Sequence, residues 1–279
     1  MKILFVGGGN MCQAIVGGLV AKGFAAGDIH AIEPFAETRV ALGRLGISAS
    51  AAFDSADLRA DVLILAVKPQ SMRQALAPLA GQLSSQLVVS IAAGIQCADL
   101  AQWLGNGTVP YGNVVRAMPN TPALIREGIT GLFAMPDVTE KDRLAAATLL
   151  GAVGETNWFE EEAMLDAVTA VSGSGPAYVF YFIEALEQAA LEMGFSPPVA
   201  RKFALRTFLG GAKLAAGSDE SPQILRQRVT SKRGTTERAI KTFDELAVKQ
   251  RIIDGVKAAC LRSRELGEEM RKAADAGSD

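Results

Sequence analysis

Short apolar runs alternate with amphipathic stretches along the first half of the chain. The clearest run is Asp61–Val67 (DVLILAV), which ends at Lys68-Pro69. Continuous apolar strands that alternate with helices are typical of a parallel sheet covered on both faces. The predicted strands are Lys2–Val6, Ile29–Glu33, Ile47–Ser50, Asp61–Val67, Leu87–Ala92, Asn113–Met118, Gly128–Met135 and Glu155–Phe159. The predicted helices between them are Asn10–Lys22, Phe35–Leu45, Ser71–Leu83, Asp99–Leu104 and Thr139–Leu150.

After about Glu160 the strand runs stop and only helical patterns remain. The stretch Gly175–Met193 begins almost wholly apolar, and its polar residues form one narrow stripe. A small helical domain cannot bury such a helix on most sides, so we expect a partner subunit to cover it. The other predicted helices of this half are Pro197–Ala216, Pro222–Gln227, Thr235–Phe243 and Val248–Lys272.

Length and composition narrow the class of protein. A chain of 279 residues and 29.3 kDa is long for one core, which favours two domains. The net charge of −2 provides no basic excess for nucleic acid or an anionic membrane, and no apolar run is long enough to span a bilayer. Three scattered cysteines and one histidine fit neither a metal site nor a Ser-His-Asp triad, so no metal is expected. Glycines interrupt the apolar N-terminus, so we predict no signal peptide and a cytoplasmic location.

A glycine-rich turn follows the first predicted strand. In the G-x-G-x-x-G/A pattern Gly7 allows the tight turn and Gly9 lets a pyrophosphate approach the backbone, while the small Cys12 takes the third position. The helix that follows points its N–H groups at that phosphate. This context predicts a dinucleotide cofactor, NAD(H) or NADP(H), and the alternative is a glycine turn without a ligand. The candidate contacts are Val6, Gly7, Gly8, Gly9, Asn10 and Met11.

Other candidates follow the ends of later strands, where such sheets bind their ligands. Glu33 stands where an acid usually accepts a hydrogen bond from the ribose 2′-OH, or it is an ordinary exposed acid before a proline. Lys68 either touches the cofactor or serves as an acid, and the alternative is a solvated lysine at a helix start. The remaining candidates at this edge are Val67, Pro69, Ala93 and Gly94.

Three segments have compositions that simple packing does not explain. The loop Met118–Pro122 is rigid, and the segment Asp166–Tyr178 contains SGSGP before the long apolar helix. Its small residues leave room for a ligand, and free N–H groups at a helix start suit a carboxylate. The segment Val229–Thr236 is again a small polar loop that runs into a helix.

Together with the motifs GGGNM, AVKPQ and SIAAGI, these segments resemble the pyrroline-5-carboxylate reductase family over essentially the whole chain. Arg233 departs from the family's S-P-G-G-T-T pattern, in which a second glycine stands at that position.

The resemblance implies an α/β chain with an N-terminal Rossmann-type doubly wound sheet, at 1–160, and an all-helical dimerisation and substrate domain, at 161–279. It also implies a homodimer, or a ring of dimers, with the site at the subunit interface. The reaction implied is hydride transfer from NAD(P)H to the C=N carbon of 1-pyrroline-5-carboxylate, which gives L-proline.

The resemblance also suggests substrate residues. No histidine lies near these loops, so Thr236 is the hydroxyl chosen to hold the ring nitrogen, with Thr235 beside it, and both are the predicted catalytic residues. The substrate carboxylate is expected on backbone N–H groups at Gly234 and Thr235. Glu162 either favours the iminium by charge or is one of three consecutive surface acids. Thr169 and Ser172 are the other substrate candidates, although Ser172 is also a candidate cap of the long helix.

The sequence alone leaves the cofactor choice and the enzyme class open. Glu33 favours NAD, whereas the resembled family often uses NADPH, so use of both cofactors is predicted. Arg39 and Arg228 are the candidate cations to offset repulsion at Glu33, with Arg228 reaching across the dimer; the alternative is that either is a solvated surface charge. Two rivals are another β-hydroxyacid- or imine-reducing dehydrogenase and a cofactor-binding regulatory protein without turnover.

Overall fold

The computed structural model describes residues 1–276 and contains one eight-stranded sheet of order β3-β2-β1-β4-β5-β6-β7-β8. Every predicted strand forms, with bounds that differ from the prediction by one or a few residues. The strands are β1 Ile3–Val6, β2 Ile29–Ile32, β3 Ser48–Ser50, β4 Val62–Leu65, β5 Leu87–Ser90, β6 Val114–Met118, β7 Gly128–Ala134 and β8 Gly154–Trp158.

The direction of the strands changes once across the sheet. Strands β1 to β6 are mutually parallel, as predicted, whereas β7 is antiparallel to β6 and parallel to β8. A parallel connection needs a crossover of a dozen or more residues. Residues 119–127 between β6 and β7 are too few for one, so the chain turns back beside the strand it has just left.

Helices cover both faces of the sheet. Alternate residues of β1 enter opposite cores: Ile3 and Phe5 pack with the first helix, and Leu4 and Val6 with the third and fourth. The helices are α1 Asn10–Ala21, α2 Ala36–Arg44, α3 Pro69–Leu76, α4 Cys97–Leu104, α5 Glu140–Leu150 and α6 Met164–Val168.

The segment before the long apolar helix differs from the expectation of an open helix start. After α6 the chain forms a π-helical turn, Thr169–Gly173, in which the Ser174 N–H donates to the Thr169 carbonyl at 2.8 Å. The small residue Gly173 serves packing, because a β-carbon there would lie 2.7 Å from Met118 Cε. The Ser174 N–H is thus used within the chain and is not one of the expected free N–H groups.

Contacts divide the chain into two units, which do not follow the predicted boundary at 160/161. The sheet unit contains Met1–Ser174 and the chain from Ala259 onward, and the helical unit contains Gly175–Ala258. The end of the last helix belongs to the sheet unit because Ser263 Oγ donates to Asp166 Oδ1 at 2.8 Å. The helices that begin in the helical unit are α7 Gly175–Glu192, α8 Pro197–Ala216, α9 Pro222–Arg228, α10 Thr235–Glu245 and α11 Val248–Ala276.

The helical unit buries little of its own apolar surface. Helix α7 packs on α8, and Phe195 meets Phe203 edge to face with ring centroids 5.6 Å apart. Even so, Phe180 is 67% exposed and Leu214 is 73% exposed. The only hydrophobic residues of this unit that are buried are three alanines, Ala190, Ala200 and Ala204.

Candidate active site

The register of the sheet brings four strand ends to one edge. Val6 lies beside both Ile32 and Leu65, and Leu65 lies beside Ser90. The residues that follow these strands therefore meet at the carboxyl edge. The strand order reverses between β1 and β4, and this is where open α/β sheets form a ligand crevice.

The three glycines after β1 have different roles. Gly7 has φ +99°, and a β-carbon on it would lie 2.8 Å from the Ala66 carbonyl carbon. A β-carbon on Gly8 would lie 2.7 Å from Leu42 Cδ1, so packing excludes any side chain there. A β-carbon on Gly9 would meet nothing within 4 Å. The turn is thus held by Gly7 and Gly8, and Gly9 presents its backbone to open space.

The beginning of α1 faces that open space with its backbone amides. Gly9 is the N-cap residue, and no side chain caps the helix among the residues that the structure describes. Asn10 is exposed and Met11 half-buried, whereas Cys12 is fully buried. Burial, and then the charge of Glu33, raises the pKa of the Cys12 thiol, so Cys12 stays neutral and acts as a small packing residue. These features fit the pyrophosphate of a dinucleotide.

Glu33 is not the exposed acid of the alternative interpretation. It is 6% exposed, and its Oε2 accepts from the Gly8 N–H at 2.8 Å while its Oε1 accepts from the Phe35 N–H at 2.8 Å. Arg39 Nη1 donates to the carbonyl oxygens of Glu33 at 2.8 Å and Pro34 at 2.7 Å. The carboxylate therefore ties the glycine turn to the end of β2.

The remaining residues of this edge differ in exposure. Val67 is half-buried, and its Cγ1 lies 2.8 Å from where a β-carbon on Gly7 would be. Lys68 is exposed and is the N-cap residue of α3, with Pro69 in the first turn. Ala93 is half-buried, whereas Gly94 is buried with φ +80° and would place a β-carbon 3.3 Å from Met270 Cε. Packing against α11 explains the glycine at position 94, and its contact with a cofactor stays a prediction.

Glu162 takes part in an ion pair that the sequence did not suggest. Its Oε1 accepts from Arg116 Nη1 at 3.0 Å and from the Cys97 N–H at 2.8 Å. Arg116 is only 3% exposed and also lies 3.9 Å from Asp166 Oδ1. Glu162 is thus neither an isolated surface acid nor an unpaired charge. The sequence does indicate that Arg116 needs a partner, since it interrupts an otherwise apolar strand and a buried charge requires partners. No local sequence pattern identifies Glu162 as that partner.

The hydroxyls of the π-helical turn bond within the chain. Thr169 Oγ1 donates to the Leu165 carbonyl at 2.7 Å, and Ser172 Oγ donates to the Val168 carbonyl at 2.9 Å. Asn120 Nδ2 donates to the Ser172 carbonyl at 3.2 Å, which fixes the Met118–Pro122 loop to this turn. Ser172 therefore does not cap α7, and roles of Thr169 and Ser172 toward the substrate stay predictions.

The loop before α10 lies in the helical unit. Gly234 is the N-cap residue of α10, and no side chain caps that helix within the described chain. Thr235 is exposed and Thr236 half-buried in its first turn. Arg233 has φ +61°, the left-handed conformation that glycine favours, and its N–H donates to Glu237 Oε2 at 2.7 Å. The residue that departs from the resembled family pattern thus adopts a conformation typical of glycine.

Arg228 lies at the end of α9 in the same unit. Its Nη2 contacts Glu220 Oε1 at 2.5 Å, and its side chain is 66% exposed. This pairing gives Arg228 a partner within its own chain, and its predicted reach to a cofactor stays a prediction.

Comparison with known proteins decides the family. The pyrroline-5-carboxylate reductase of Pseudomonas aeruginosa is 45% identical over 273 residues, which cover 96% of this chain and 98% of that protein. The chain belongs to the pyrroline-5-carboxylate reductase family. It is accordingly an NAD(P)-dependent oxidoreductase, as the resemblance implied, and the rival dehydrogenase and regulatory classes are set aside.

Family models and solved structures agree with the two-part architecture. The model described as pyrroline-5-carboxylate reductase dimerisation matches residues 162–266, and that described as NADP oxidoreductase, coenzyme F420-dependent, matches residues 2–94. A pyrroline-5-carboxylate reductase from Coxiella burnetii has a TM-score of 0.87 at 36% identity and covers 95% of this chain and 98% of its own. The Plasmodium falciparum pyrroline carboxylate reductase with NADP bound has a TM-score of 0.82 at 26% identity, with 96% and 98% covered.

The described residues contain neither a metal-binding cluster nor a helix suited to cross a membrane. Among residues 1–276 no group of three or more His, Cys, Asp or Glu side chains is arranged to hold a metal ion. In the same part of the chain no helix combines the length and apolar character that crossing a membrane requires.

Proposed function

We propose that this chain reduces the C=N bond of 1-pyrroline-5-carboxylate to L-proline, with Thr236 and Thr235 as its substrate residues. The observation that carries these roles is the beginning of α10, where Gly234 caps the helix without a side-chain acceptor. The first-turn amides of a helix suit a carboxylate. A small ring with a carboxylate therefore binds there by its charged group, beside the hydroxyl of Thr236.

The proton of the iminium comes from solvent in this proposal. The single histidine, His30, lies within β2 and contacts Ser48 Oγ at 2.7 Å and Ser50 Oγ at 3.0 Å through its two ring nitrogens. A weakly basic imine needs no dedicated acid when a hydroxyl orients its nitrogen. Bound NAD(P)H supplies the hydride, and the residues of this chain supply position and electrostatics.

The working enzyme in this proposal is a cytoplasmic homodimer, or a ring of dimers, that completes the site across its interface. The exposed apolar residues of α7 support this, since Val179 is 44%, Phe180 67% and Tyr181 69% exposed. An exposed patch of this kind marks an interaction surface. The name of the matching family model, which speaks of dimerisation, indicates a second copy as the cover.

The experiment is a steady-state assay of Thr236→Val with 1-pyrroline-5-carboxylate. Loss of one hydrogen bond at the reacting centre is expected to lower kcat/KM by about ten- to a hundredfold, the equivalent of roughly 1–3 kcal/mol. The dissociation constant for NADH should not change, because the hydroxyl acts on the substrate. Thr242→Val is the matched control, since Thr242 lies on the same helix and its hydroxyl donates to the Arg238 carbonyl at 3.0 Å. Wild-type kcat/KM in Thr236→Val would show that the role is assigned wrongly.

A further inference from the structure

The end of β2 carries a buried carboxylate in a fixed position. Glu33 is 6% exposed, and each of its carboxylate oxygens accepts one backbone N–H, from Gly8 and from Phe35, both at 2.8 Å. Glycine at position 8 leaves room for this side chain, because a β-carbon there would lie 3.1 Å from the Glu33 Cγ. Glu33 therefore cannot swing away from the glycine turn without breaking two hydrogen bonds.

From this arrangement we infer that the chain prefers NADH to NADPH, with Glu33 as the residue that discriminates and Arg39 as the cation that permits residual use of NADPH. The inference deepens the proposed function, and it rests on that proposal only in taking a nicotinamide dinucleotide as the cofactor.

Glu33 can accept a ribose hydroxyl but not a phosphate. A carboxylate offers about four lone-pair positions, and the two backbone N–H groups use two of them. One 2′-OH of NADH can donate to the remaining capacity. The 2′-phosphate of NADPH offers no such donor and carries a charge of about −1.5 to −2 at neutral pH. Because the carboxylate is held in place, the repulsion is not relieved by rotation of the side chain.

Arg39 provides the opposite charge at the same strand end. Its Nη1 donates to the carbonyl oxygens of Glu33 at 2.8 Å and Pro34 at 2.7 Å. These bonds anchor the guanidinium beside β2, and a guanidinium has further N–H donors besides those on one nitrogen. Phosphate is a good partner for them. Arg39 therefore offsets part of the repulsion without removing its source.

The test measures cofactor binding without the substrate. Titration of the protein with NADH and with NADPH, followed by nicotinamide fluorescence, gives two dissociation constants and their ratio. In the wild type NADH is expected to bind about tenfold more tightly. Glu33→Ser is expected to reduce that ratio several-fold, as removal of a repulsion at a charged site would. Arg39→Gln is expected to increase the ratio, because it removes only the attraction.

Two controls separate charge from damage to the turn. Glu33→Asp retains the carboxylate, so this variant should still bind NADH more tightly than NADPH even if both affinities fall. Glu37→Ser removes an exposed acid of α2 and should leave the ratio unchanged. A wild type that binds NADPH as tightly as NADH, or a Glu33→Ser variant whose two affinities fall equally, would overturn the inference.

The outcome does not depend on the assigned reaction. A protein that binds NADH selectively through Glu33 but forms no proline from 1-pyrroline-5-carboxylate would contradict the proposed function and leave this inference standing. A protein that forms proline with equal efficiency from both cofactors, with equal dissociation constants, would contradict the inference alone.

Discussion

The sheet unit and the helical unit differ in how far each covers its own apolar surface. In the sheet unit Phe5, Leu63 and Leu65 are each at or below 1% exposed between two layers of helices. In the helical unit Phe203 is 58% exposed and Leu214 is 73% exposed. The sheet unit therefore closes its core with residues of one chain, whereas the helical unit leaves large apolar side chains in water.

This difference shows which unit can bury its apolar residues with its own chain and which needs another surface. A doubly wound sheet buries both faces under helices from its own sequence. Helices with apolar residues on most sides need another surface, and the surface that fits a dimerisation domain is the same domain of a second copy. In the proposed dimer, the stability of the helical unit would depend on association with the second copy.

The largest expected effect comes from a charge placed on α7. In Phe180→Glu, where the native side chain is 67% exposed in the single chain, a carboxylate would be buried at the proposed dimer interface without a partner. We expect the dimer to dissociate at micromolar concentration and kcat to fall at least about tenfold. Sedimentation velocity at the assay concentration measures the first effect, and the steady-state assay the second.

The matched control lies in the sheet unit. Leu144 on α5 is 68% exposed, close to the exposure of Phe180, and Leu144→Glu is expected to leave assembly and activity intact. An active monomer of Phe180→Glu, or dissociation of Leu144→Glu as well, would break the comparison between the two units.

Two tyrosines, one in each unit, allow a comparison of stability with a smaller expected effect. Tyr111 in the sheet unit donates to the Gln86 carbonyl at 2.5 Å, whereas the Tyr178 hydroxyl of the helical unit is buried and meets no partner among the described residues. Tyr111→Phe should lower the free energy of unfolding by about 1 kcal/mol, and Tyr178→Phe should lower it by less, because no bond within the chain is lost. Urea denaturation of both variants measures this, and equal losses would contradict the prediction.

The same tyrosine predicts an alkaline effect. Burial, and then the charge of Asp142, raises the pKa of Tyr111 from 10.0 to about 12. Between these values the unfolded chain loses the phenol proton and the folded chain retains it, so the stability contributed by Tyr111 is lost as pH rises from 10 to 12. Tyr111→Phe should therefore lose less stability over this interval than the wild type.

The sequence predicts the parts of the fold that depend on neighbours along the chain. The sequence predicts the strand β4 and the glycine turn because an apolar run determines the first locally and small residues determine the second. The direction of β7 depends on the length of its connection to β6. The π-helical turn Thr169–Gly173 depends on the packing of Gly173 against Met118, and the spacing of apolar residues does not predict such a contact.

In the candidate site, too, the sequence predicts individual residues but not their partners in the folded chain. The place of Glu33 after β2 predicts its role, but its two backbone donors, Gly8 and Phe35, come together with it only in the folded turn. The family resemblance suggests Glu162, whereas its partner Arg116 lies on a strand far away in sequence. Pairing across such separations is tertiary information.

The smallest expected effect concerns two arginines with left-handed backbone, one in each unit. Arg126 has φ +63° and Arg233 has φ +61°. This conformation costs a residue with a β-carbon about 1 kcal/mol. Glycine removes that strain but gains about 0.4–1 kcal/mol of entropy in the unfolded chain. Arg126→Gly and Arg233→Gly should therefore each change the free energy of unfolding by no more than about 0.5 kcal/mol.

A β-branched residue at the same two positions separates stability from function. Valine tolerates the left-handed region poorly, so Arg126→Val and Arg233→Val should each destabilise the protein by about 1 kcal/mol. Only Arg233→Val should also raise KM for 1-pyrroline-5-carboxylate, because Arg233 directly precedes the Gly234 cap of α10 where we propose that the carboxylate binds. Arg233→Gly, by contrast, should keep KM within about twofold of the wild type, since the backbone already adopts the conformation that glycine favours. If Arg126→Val raised KM equally, the effect would be one of general stability, and the loop before α10 would have no particular part in binding the substrate.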